Sequence, residues 1–534
     1  MNLMLASASF STLDWAVLVG YFALLAVTGW LFSRREPSGA REYFLAGRQM
    51  PMWAVAISVL ATATSAATFI GGPQEAYAGN LTYLSTNIGM FIAAAVVAVF
   101  FIPAFYRANV TTVYDLLEVR FGVGAKQAAS WAFLLGRVFA SGSRLYIAAL
   151  PLSLILFRET EPWQLLVAIW VLSVIAILYT LVGGIRSIIW TDVIQTCVFV
   201  GAAVAALVML RDRIPLSFGE IVAVLGETPA PKGGSKLRVI ETSLDPSNPF
   251  SIWAVVAGFS LLGIASYGTD HDLAQRMLTC KTAAKGSQSI VVAILINLPV
   301  LAVFMSIGLL LHIFYQRPEL MGEIGPGVTP SDSREVFLTY ILDHTPSGMP
   351  GLMMAGLFAA GLGSTLSAIN AMSAAFVNDC YKHIVPERTD RHYLSAGRWA
   401  VAGWGVVLGG FACVCVYWQQ GSGQTLIQFA LSVMTFAYAG LLGVFFTAIF
   451  TKRGNGVSAV AAIFTGFGVV TLLQKGVFAW WGPKVGLAGV VLAFPWHLLI
   501  AATITTAVCA AGRPARRGNV ARKRVPDSET AAHG

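Results

Sequence analysis

Two stretches of this chain place small hydroxyl residues where an apolar helix would place leucine. The first reads Ala61-Thr62-Ala63-Thr64-Ser65-Ala66-Ala67-Thr68-Phe69-Ile70-Gly71-Gly72-Pro73, inside the apolar run 51–77. Lipid cannot hydrogen-bond a backbone, so broken or polar helix persists in a membrane only where it faces protein or a cavity. Near the bilayer midplane such a segment can turn carbonyls and hydroxyls toward a small cation. Small residues also let membrane helices pack closely, and this segment alone leaves both readings open. The second stretch, 359–370, carries hydroxyls at Ser364, Thr365 and Ser367 beside Ala360, Gly361 and Gly363. Carbonyls and hydroxyls alone can hold a sodium ion; tight packing is again the alternative.

Ionisable side chains inside apolar runs add a second kind of chemistry. Asp192 lies in GGIRSIIWTDVIQ (183–195). An intramembrane carboxylate is a functional hypothesis by default, and carboxylates suit hard cations. Its plainer roles are a helix start or a partner for Arg186. Arg137 and Arg144 stand seven residues apart with Ser141 between them, which puts both on one helix face about 10 Å apart. A buried guanidinium needs a carboxylate, a carbonyl or a ligand, and its planar fork suits bidentate recognition of a carboxylate. Either arginine can instead pair within the protein or, for Arg144, reach toward the interface.

The elements that position these residues follow from composition. The 534 residues are 56% hydrophobic and only 11% charged, with a mean hydropathy of +0.71. A soluble chain of this length carries far more charge. Apolar runs of about 20 residues mark spanning helices, and thirteen are expected: 12–33, 51–77, 80–103, 127–157, 163–182, 188–210, 250–268, 287–313, 348–376, 396–418, 424–450, 457–474 and 486–510, called spans 1 to 13. With the N-terminus outside, most of the 35 Lys and Arg residues fall on the cytoplasmic side. The net charge of +9 then reflects the positive-inside bias and not a nucleic-acid surface. The C-terminus falls inside, in a basic tail. Span 1 is too long for a cleavable signal peptide and lacks a basic region before it.

Several classes are excluded. The six cysteines fall in spans or inner loops and form no disulfide framework. The seven histidines show no metal-ligand spacing. A phosphate-binding loop of the GxxxxGK[ST] kind is missing, which argues against direct drive by ATP.

The chain reads as a single transmembrane domain, 1–510, with a disordered cytoplasmic tail at 511–534. Spans 2–6 and 7–11 (about 51–210 and 250–450) each hold five helices, so the two sets enter the membrane from opposite sides, as an inverted repeat requires. Span 2 is expected to break near Gly71-Gly72, and span 7 to be interrupted at Gly258, Gly263 and Gly268. The outer loop 211–249 reads as irregular. The outer loop 314–347 contains a short helix that starts near 331–335, and 269–286 forms a short amphipathic helix.

At these motifs the chain resembles the sodium:solute symporter family. The markers are EYFLAGR (42–48), SAATFIGGPQEAYAGN (65–80), TVYDLLEVRFG (112–122), GGIRSIIWTDVIQ (183–195), TDHDLAQRMLTCK (269–281) and GSTLSAIN (363–370). The resemblance implies an all-α membrane protein with a LeuT-like five-plus-five inverted repeat and about 13 transmembrane helices. By position it implies a sodium site from the carbonyls of Ala61, Thr64 and Ala360 and the side chain of Ser364. Where the family usually has two adjacent hydroxyls this chain has Gly363-Ser364, which leaves the remaining ligand to Thr365. Asp192 matches an acidic position that lines a second sodium site in some members. Its span 9 counterparts here are Gly363, Leu366 and Ser367, so that site looks incomplete and one sodium per cycle is expected. The cavity positions for substrate fall on Ser65, Thr68 and Asn87, with Gln428 a looser match; Arg144 and Arg137 are added from the reading of span 4.

The implied function is sodium-coupled secondary active symport of a small organic solute, with a carboxylate favoured, across the plasma membrane. Sodium is the coupling ion, the partners are solute and bilayer, and no nucleic acid, obligatory protein partner or enzymatic step is expected. The alternatives are a sodium-independent facilitator or channel, and a solute sensor built on the same core.

Overall fold

The computed structural model describes residues 10–33, 45–181, 185–231, 233–322, 330, 332–487 and 489–513. Among these described residues thirteen spans emerge, counting one bent pair as a single span, each overlapping the apolar run that announced it. Twelve are continuous, beginning with Thr12–Gly29, Thr82–Arg107, Val123–Phe157, Pro162–Thr180, Ile185–Arg213 and Ile252–Thr269. Ala283–Gln316, Met349–Ile384, Arg391–Ser422, Leu426–Phe450, Gly456–Leu473 and Phe494–Ala511 complete them. Span 2 is a bent pair, Met52–Ala63 and Ala66–Ala78, with 62° between its halves. Among the described residues the only β pairing is three isolated bridges.

Burial separates core from rim. Spans 4 and 9 are 94% buried across their most apolar windows, whereas span 12 is 33% buried, so the first two are central pillars and span 12 faces lipid. Span 9 packs on spans 1, 4 and 6, and span 8 packs on both halves of span 2. Span 1 is pinned to span 9 by one carboxylate: Asp14 accepts from the backbone amides of Gly348 at 2.8 Å and Gly351 at 3.0 Å. A negative group is favourable at a helix N-terminus.

Several sequence expectations are corrected here. The break in span 2 falls at Thr64-Ser65, and Gly71-Gly72-Pro73 lie inside the second half. Those glycines serve close packing: a Cβ on Gly71 would meet Ile427 at 2.8 Å, and one on Gly72 would meet Phe304 at 3.1 Å. Span 7 is continuous, with two π-helical turns at Val255–Phe259 and Ala265–Thr269. Its backbone leaves the helix only at Asp270. The loop 211–249 is not wholly irregular, because Ser217 and Glu220 form a capping box that starts a helix at Phe218–Glu227. The helix His271–Leu278 exists, but all of its residues are buried; it is a wedge between spans and not a surface helix. The short helix in the loop 314–347 is Val336–His344. The tail beyond Arg513, together with residues 42–44 and 183–184 of two motifs, lies outside the described residues.

One lysine ties the loop 211–249 to span 2. Lys236 is 2% exposed, and its ammonium donates to the carbonyls of Tyr77 at 2.6 Å and Ala76 at 3.4 Å. It thereby caps the C-terminal end of the second half-helix. Burial pushes its pKa down to about 8 from the usual 10.5. Below about pH 8 the folded protein carries this buried charge at a cost; between there and the unfolded value the folded state has shed a proton that the unfolded chain retains, so stability rises with pH. Lys236→Met should flatten that segment of the melting-temperature profile between pH 8 and 10.5. A profile that keeps the wild-type slope would refute the assignment.

Candidate functional site

The centre of the molecule is built on the break in span 2. Thr64 and Ser65 adopt extended backbone, and Ser65 caps the second half: its hydroxyl accepts from the amide of Ala67 at 3.2 Å, while its own amide donates to Thr68 Oγ1 at 3.4 Å. In an unbroken helix the Ser65 amide would bond the Ala61 carbonyl, and the Thr68 amide the Thr64 carbonyl. Here the Thr68 amide turns to the Ser65 carbonyl at 2.8 Å. The carbonyls of Ala61 and Thr64 are thus released from the helical ladder; Thr64 Oγ1 approaches the Ala61 oxygen only at 3.5 Å. Buried carbonyls seek partners, and a dehydrated cation is one.

Span 9 passes this break closely. A Cβ on Gly361 would come within 3.4 Å of Ala66 and 2.7 Å of Ala148, so the helix backbone lies against both the break and span 4. Ser364 and Thr365, one turn on, donate their hydroxyl protons to the Gly361 carbonyl at 3.0 and 2.9 Å. Their oxygens keep lone pairs to offer. Gly363 points elsewhere: a Cβ there would meet Gln195 Oε1 at 2.5 Å, so this position is a packing contact with span 6.

The two arginines of span 4 separate in role. Arg137 is spent on protein, bonding Asp270 through Nη2 at 2.6 Å and Nε at 3.1 Å, with Asp272 at 3.2 Å. Those bonds engage its guanidinium within the protein. Arg144 reaches the break, where Nη1 donates to the Thr62 carbonyl at 3.2 Å and Nη2 faces the Met434 sulfur at 3.7 Å. Thr62 belongs to the last turn of the first half, a favourable place for a cation. A thioether is a weak acceptor, and among the described residues no carboxylate forms an ion pair with Arg144. Arg144 keeps 8% exposure, against 2% for Arg137 and none for Arg276.

Ser65 and Thr68 line the same break, but their recorded bonds are local capping bonds. Asn87 sits to one side, donating to the Leu84 carbonyl at 3.1 Å and accepting from Asn297 of span 8 at 3.2 Å. Gln428 belongs to a separate tier. Its amide donates to both oxygens of Glu75, at 3.1 and 3.2 Å, and it borders a cleft of about 220 Å³ with Glu75, Asn80, Thr425 and Asn248. Gln428 precedes Met434 by six residues on one helix, about 9 Å along its axis.

Asp192 does not stand open. Ser58 donates to it at 2.5 Å, and Arg276 Nη2 at 3.2 Å. Arg276 also bonds Asp272 through Nη1 at 2.6 Å, Ser58 through Nε at 2.9 Å and Ser367 through Nη2 at 2.7 Å. Ser367 in turn donates to Asp272 in a short bond. Tyr438 of span 11 donates to Asp270 at 2.8 Å. Burial alone would raise the Asp272 carboxyl; the guanidiniums of Arg137 and Arg276 hold it below the ordinary value. Arg276, Asp270, Asp272, Ser58 and Tyr438 were not singled out from sequence. The available signal was Asp272 and Arg276 at i, i+4 spacing in a short polar segment directly after a span.

Among the described residues a bundle of thirteen spans, one of them broken to expose carbonyls opposite a hydroxyl-bearing helix, defines a multi-pass membrane protein of the transporter kind. A model of the sodium:solute symporter family matches residues 43–466, and the chain belongs to that family. It is 28% identical to the sodium/sialic acid symporter NanT of Aliivibrio fischeri, over 88% of this chain and 88% of that one. It is 24% identical to sodium-coupled monocarboxylate transporter 2 of Mus musculus, over 89% of this chain and 74% of the other. A solved structure of a Na+-coupled sialic acid symporter, in a substrate-bound outward-open state, superposes with a TM-score of 0.76 at 25% identity, covering 94% of this chain and 98% of that one. The fold is LeuT-like, sodium is the coupling ion, and the relatives are transporters rather than enzymes.

Proposed function

We propose that this protein uses inward sodium movement to take up a small organic carboxylate across the plasma membrane, with its N-terminus outside, its C-terminus in the cytoplasm and no bond made or broken. The observation that carries the substrate class is Arg144: a buried guanidinium at the break, bonded to one carbonyl and one sulfur, with donors to spare. Sialic acid and monocarboxylates, the solutes for which those relatives are named, both bear the group such a fork accepts. Ser65 and Thr68 would complete the substrate contacts, while Asn87 and Gln428 would shape the wall and the mouth. We assign sodium to the carbonyls of Ala61, Thr64 and Ala360 and the hydroxyls of Ser364 and Thr365.

Coupling follows from that position. An ion that bridges the break and span 9 stabilises whichever state brings the two together, and shifts the equilibrium only by its differential affinity for the two states. The membrane potential adds about 2.3 kcal/mol per charge per 100 mV.

The test is a melting-temperature screen of the purified full-length protein in sodium and in potassium, against sialic acid, pyruvate, proline, glucose and inositol. A ligand at a hundred times its Kd stabilises by about 2.7 kcal/mol. A carboxylate should stabilise in sodium and not in potassium. Stabilisation by neutral sugars or polyols with none by a carboxylate would overturn the substrate class, and identical curves in both salts would overturn the coupling. Ser364→Ala removes a ligand hydroxyl with no replacement, so it should weaken sodium stabilisation while leaving the melting temperature in potassium near wild type. Undiminished stabilisation would remove Ser364 from the ion site.

A further inference from the structure

Where the loop 211–249 meets spans 2 and 11 there is a cleft of about 220 Å³ whose walls mix donors, acceptors and an aromatic ring. Glu75 and Asn80 come from the end of span 2, and Glu241, Asn248 and Phe250 from the loop and its exit into span 7. The two carboxamides are the informative groups. Asn80 is 7% exposed and Asn248 8%, and each spends its oxygen locally. Asn80 Oδ1 accepts from the Thr82 amide at 3.0 Å and the Thr82 hydroxyl at 2.7 Å; Asn248 Oδ1 accepts from the Phe250 amide at 3.1 Å. Among the described residues neither Nδ2 has a partner. A carboxamide nitrogen carries two N–H donors, and buried donors are costly to leave unmet. Glu241 accepts from the Ser243 amide at 2.8 Å and from Arg238 at 3.0 Å, two of the roughly four positions an ionised carboxylate offers. The Phe250 ring is held by Tyr83, with 5.2 Å between centroids.

We propose that this cleft binds a neutral polyol, a cyclitol or sugar alcohol, independently of sodium. It stands apart from the central site and does not depend on the symport reading. A hydroxyl is the group that answers both kinds of wall: it accepts from an amide N–H and passes its own proton to a carboxylate. Several hydroxyls on one carbon frame meet Asn80, Asn248 and Glu241 together, with C–H groups left for Phe250. Other chemistries meet one kind of wall only. A carboxylate would satisfy the amides but face the like charges of Glu75 and Glu241. An ammonium would suit the carboxylates and leave both amides unmet. The volume lies below the roughly 300 Å³ at which pockets for drug-sized ligands begin, which suits one small molecule. Gln428 on the rim stands six residues before Met434, about 9 Å along the helix, and this separates the polyol from the contacts of Arg144.

The experiment is thermal unfolding and calorimetric titration of the purified full-length protein with inositol and mannitol, in sodium and in potassium. Stabilisation should saturate, as mass action requires of a site, and be equal in the two salts. Asn248→Asp and Asn80→Asp keep the oxygen that accepts locally but replace the amide donors with a second acceptor. Each should weaken polyol affinity about tenfold, roughly the worth of one hydrogen bond, with the ligand-free melting temperature near wild type. Should either fold poorly, Phe250→Leu keeps that wall apolar and should still lower the affinity. Arg144→Lys and Ser364→Ala should bind polyol as the wild type does. Excluded cosolvents strengthen any fold, so stabilisation that rises without saturating and is the same in every variant would overturn the proposal. Polyol binding that requires sodium, or that falls in Arg144→Lys, would also overturn it by moving the polyol to the central site. Loss of the carboxylate effect with the polyol effect intact would defeat the substrate reading alone.

Discussion

Asp270→Asn should be among the most destabilising single substitutions in this chain, lowering stability by about 3–5 kcal/mol, the range for unpairing a buried ion pair. Asp270 does three things at once. It receives Arg137 of span 4 through two bonds and Tyr438 of span 11 through a third. It also caps the helix His271–Leu278 by accepting from the amide of Asp272 at 3.0 Å. The asparagine keeps the size and one acceptor but removes the charge, leaving Arg137 to Asp272 alone at 3.2 Å. Asp272 is already engaged with Arg276, so one carboxylate would then face two guanidiniums. The double variant Arg137→Met with Asp270→Leu removes the pair together, and apolar replacement of a whole buried pair is often close to neutral. Its melting temperature should recover much of the loss, short of the cap and the Tyr438 bond. Thermal unfolding in detergent gives both numbers. A wild-type melting temperature for Asp270→Asn, or a double variant worse than the sum of its parts, would show that the ion pair is not what holds these spans.

That pair also marks where reading the sequence stopped. Span number and placement were legible because a run of about twenty apolar residues has few other uses. The hydroxyl stretch at 61–68 was legible as unlike a lipid-facing helix, since lipid forbids unsatisfied backbone, but the sequence left an ion-facing segment and close packing both open. The place of the break was misjudged because glycine and proline are the usual breakers, whereas Gly71 and Gly72 are consumed by contacts with Ile427 and Phe304 that only the folded bundle reveals. The true signal was the capping pair Ser65 and Thr68, four residues of local chemistry. Arg137 and Asp192 were legible as functional candidates but not as partners of Asp270 and Arg276, which lie 133 and 84 residues away. Pairing at that separation leaves no periodicity in one sequence. Arg144 could be told from Arg137 only by what each side chain finds to bond.

Arg144→Lys should raise the apparent KM for the transported carboxylate about tenfold or more, equivalent to at least ~1.4 kcal/mol, with a smaller effect on the maximal rate. The charge is retained, so a site that needs only positive potential would hardly notice. Lysine cannot reproduce a planar fork with two parallel donors, so the loss measures bidentate recognition. The competing account is structural. Arg144 Nη1 bonds the Thr62 carbonyl at the end of the first half of span 2, and a cation there steadies the break whether or not solute is present. On that account Arg144→Lys would lower the melting temperature without solute and leave solute preference unchanged. On ours, the ligand-free melting temperature stays near wild type while the stabilisation added by the carboxylate shrinks. The geometry favours the second outcome. One bond to a carbonyl and one long contact to a sulfur leave donors of a deeply buried guanidinium to be met from the cavity, and Arg144 retains exposure that Arg276 lacks. On the proposed sodium position at the released carbonyls of Ala61 and Thr64, a negative ligand that completes these bonds at each turnover would bind beside the ion, so that each charge lowers the cost of burying the other. Sodium affinity measured with and without the carboxylate should therefore rise together with solute affinity by the same factor, as linkage requires, and that mutual gain should shrink in Arg144→Lys.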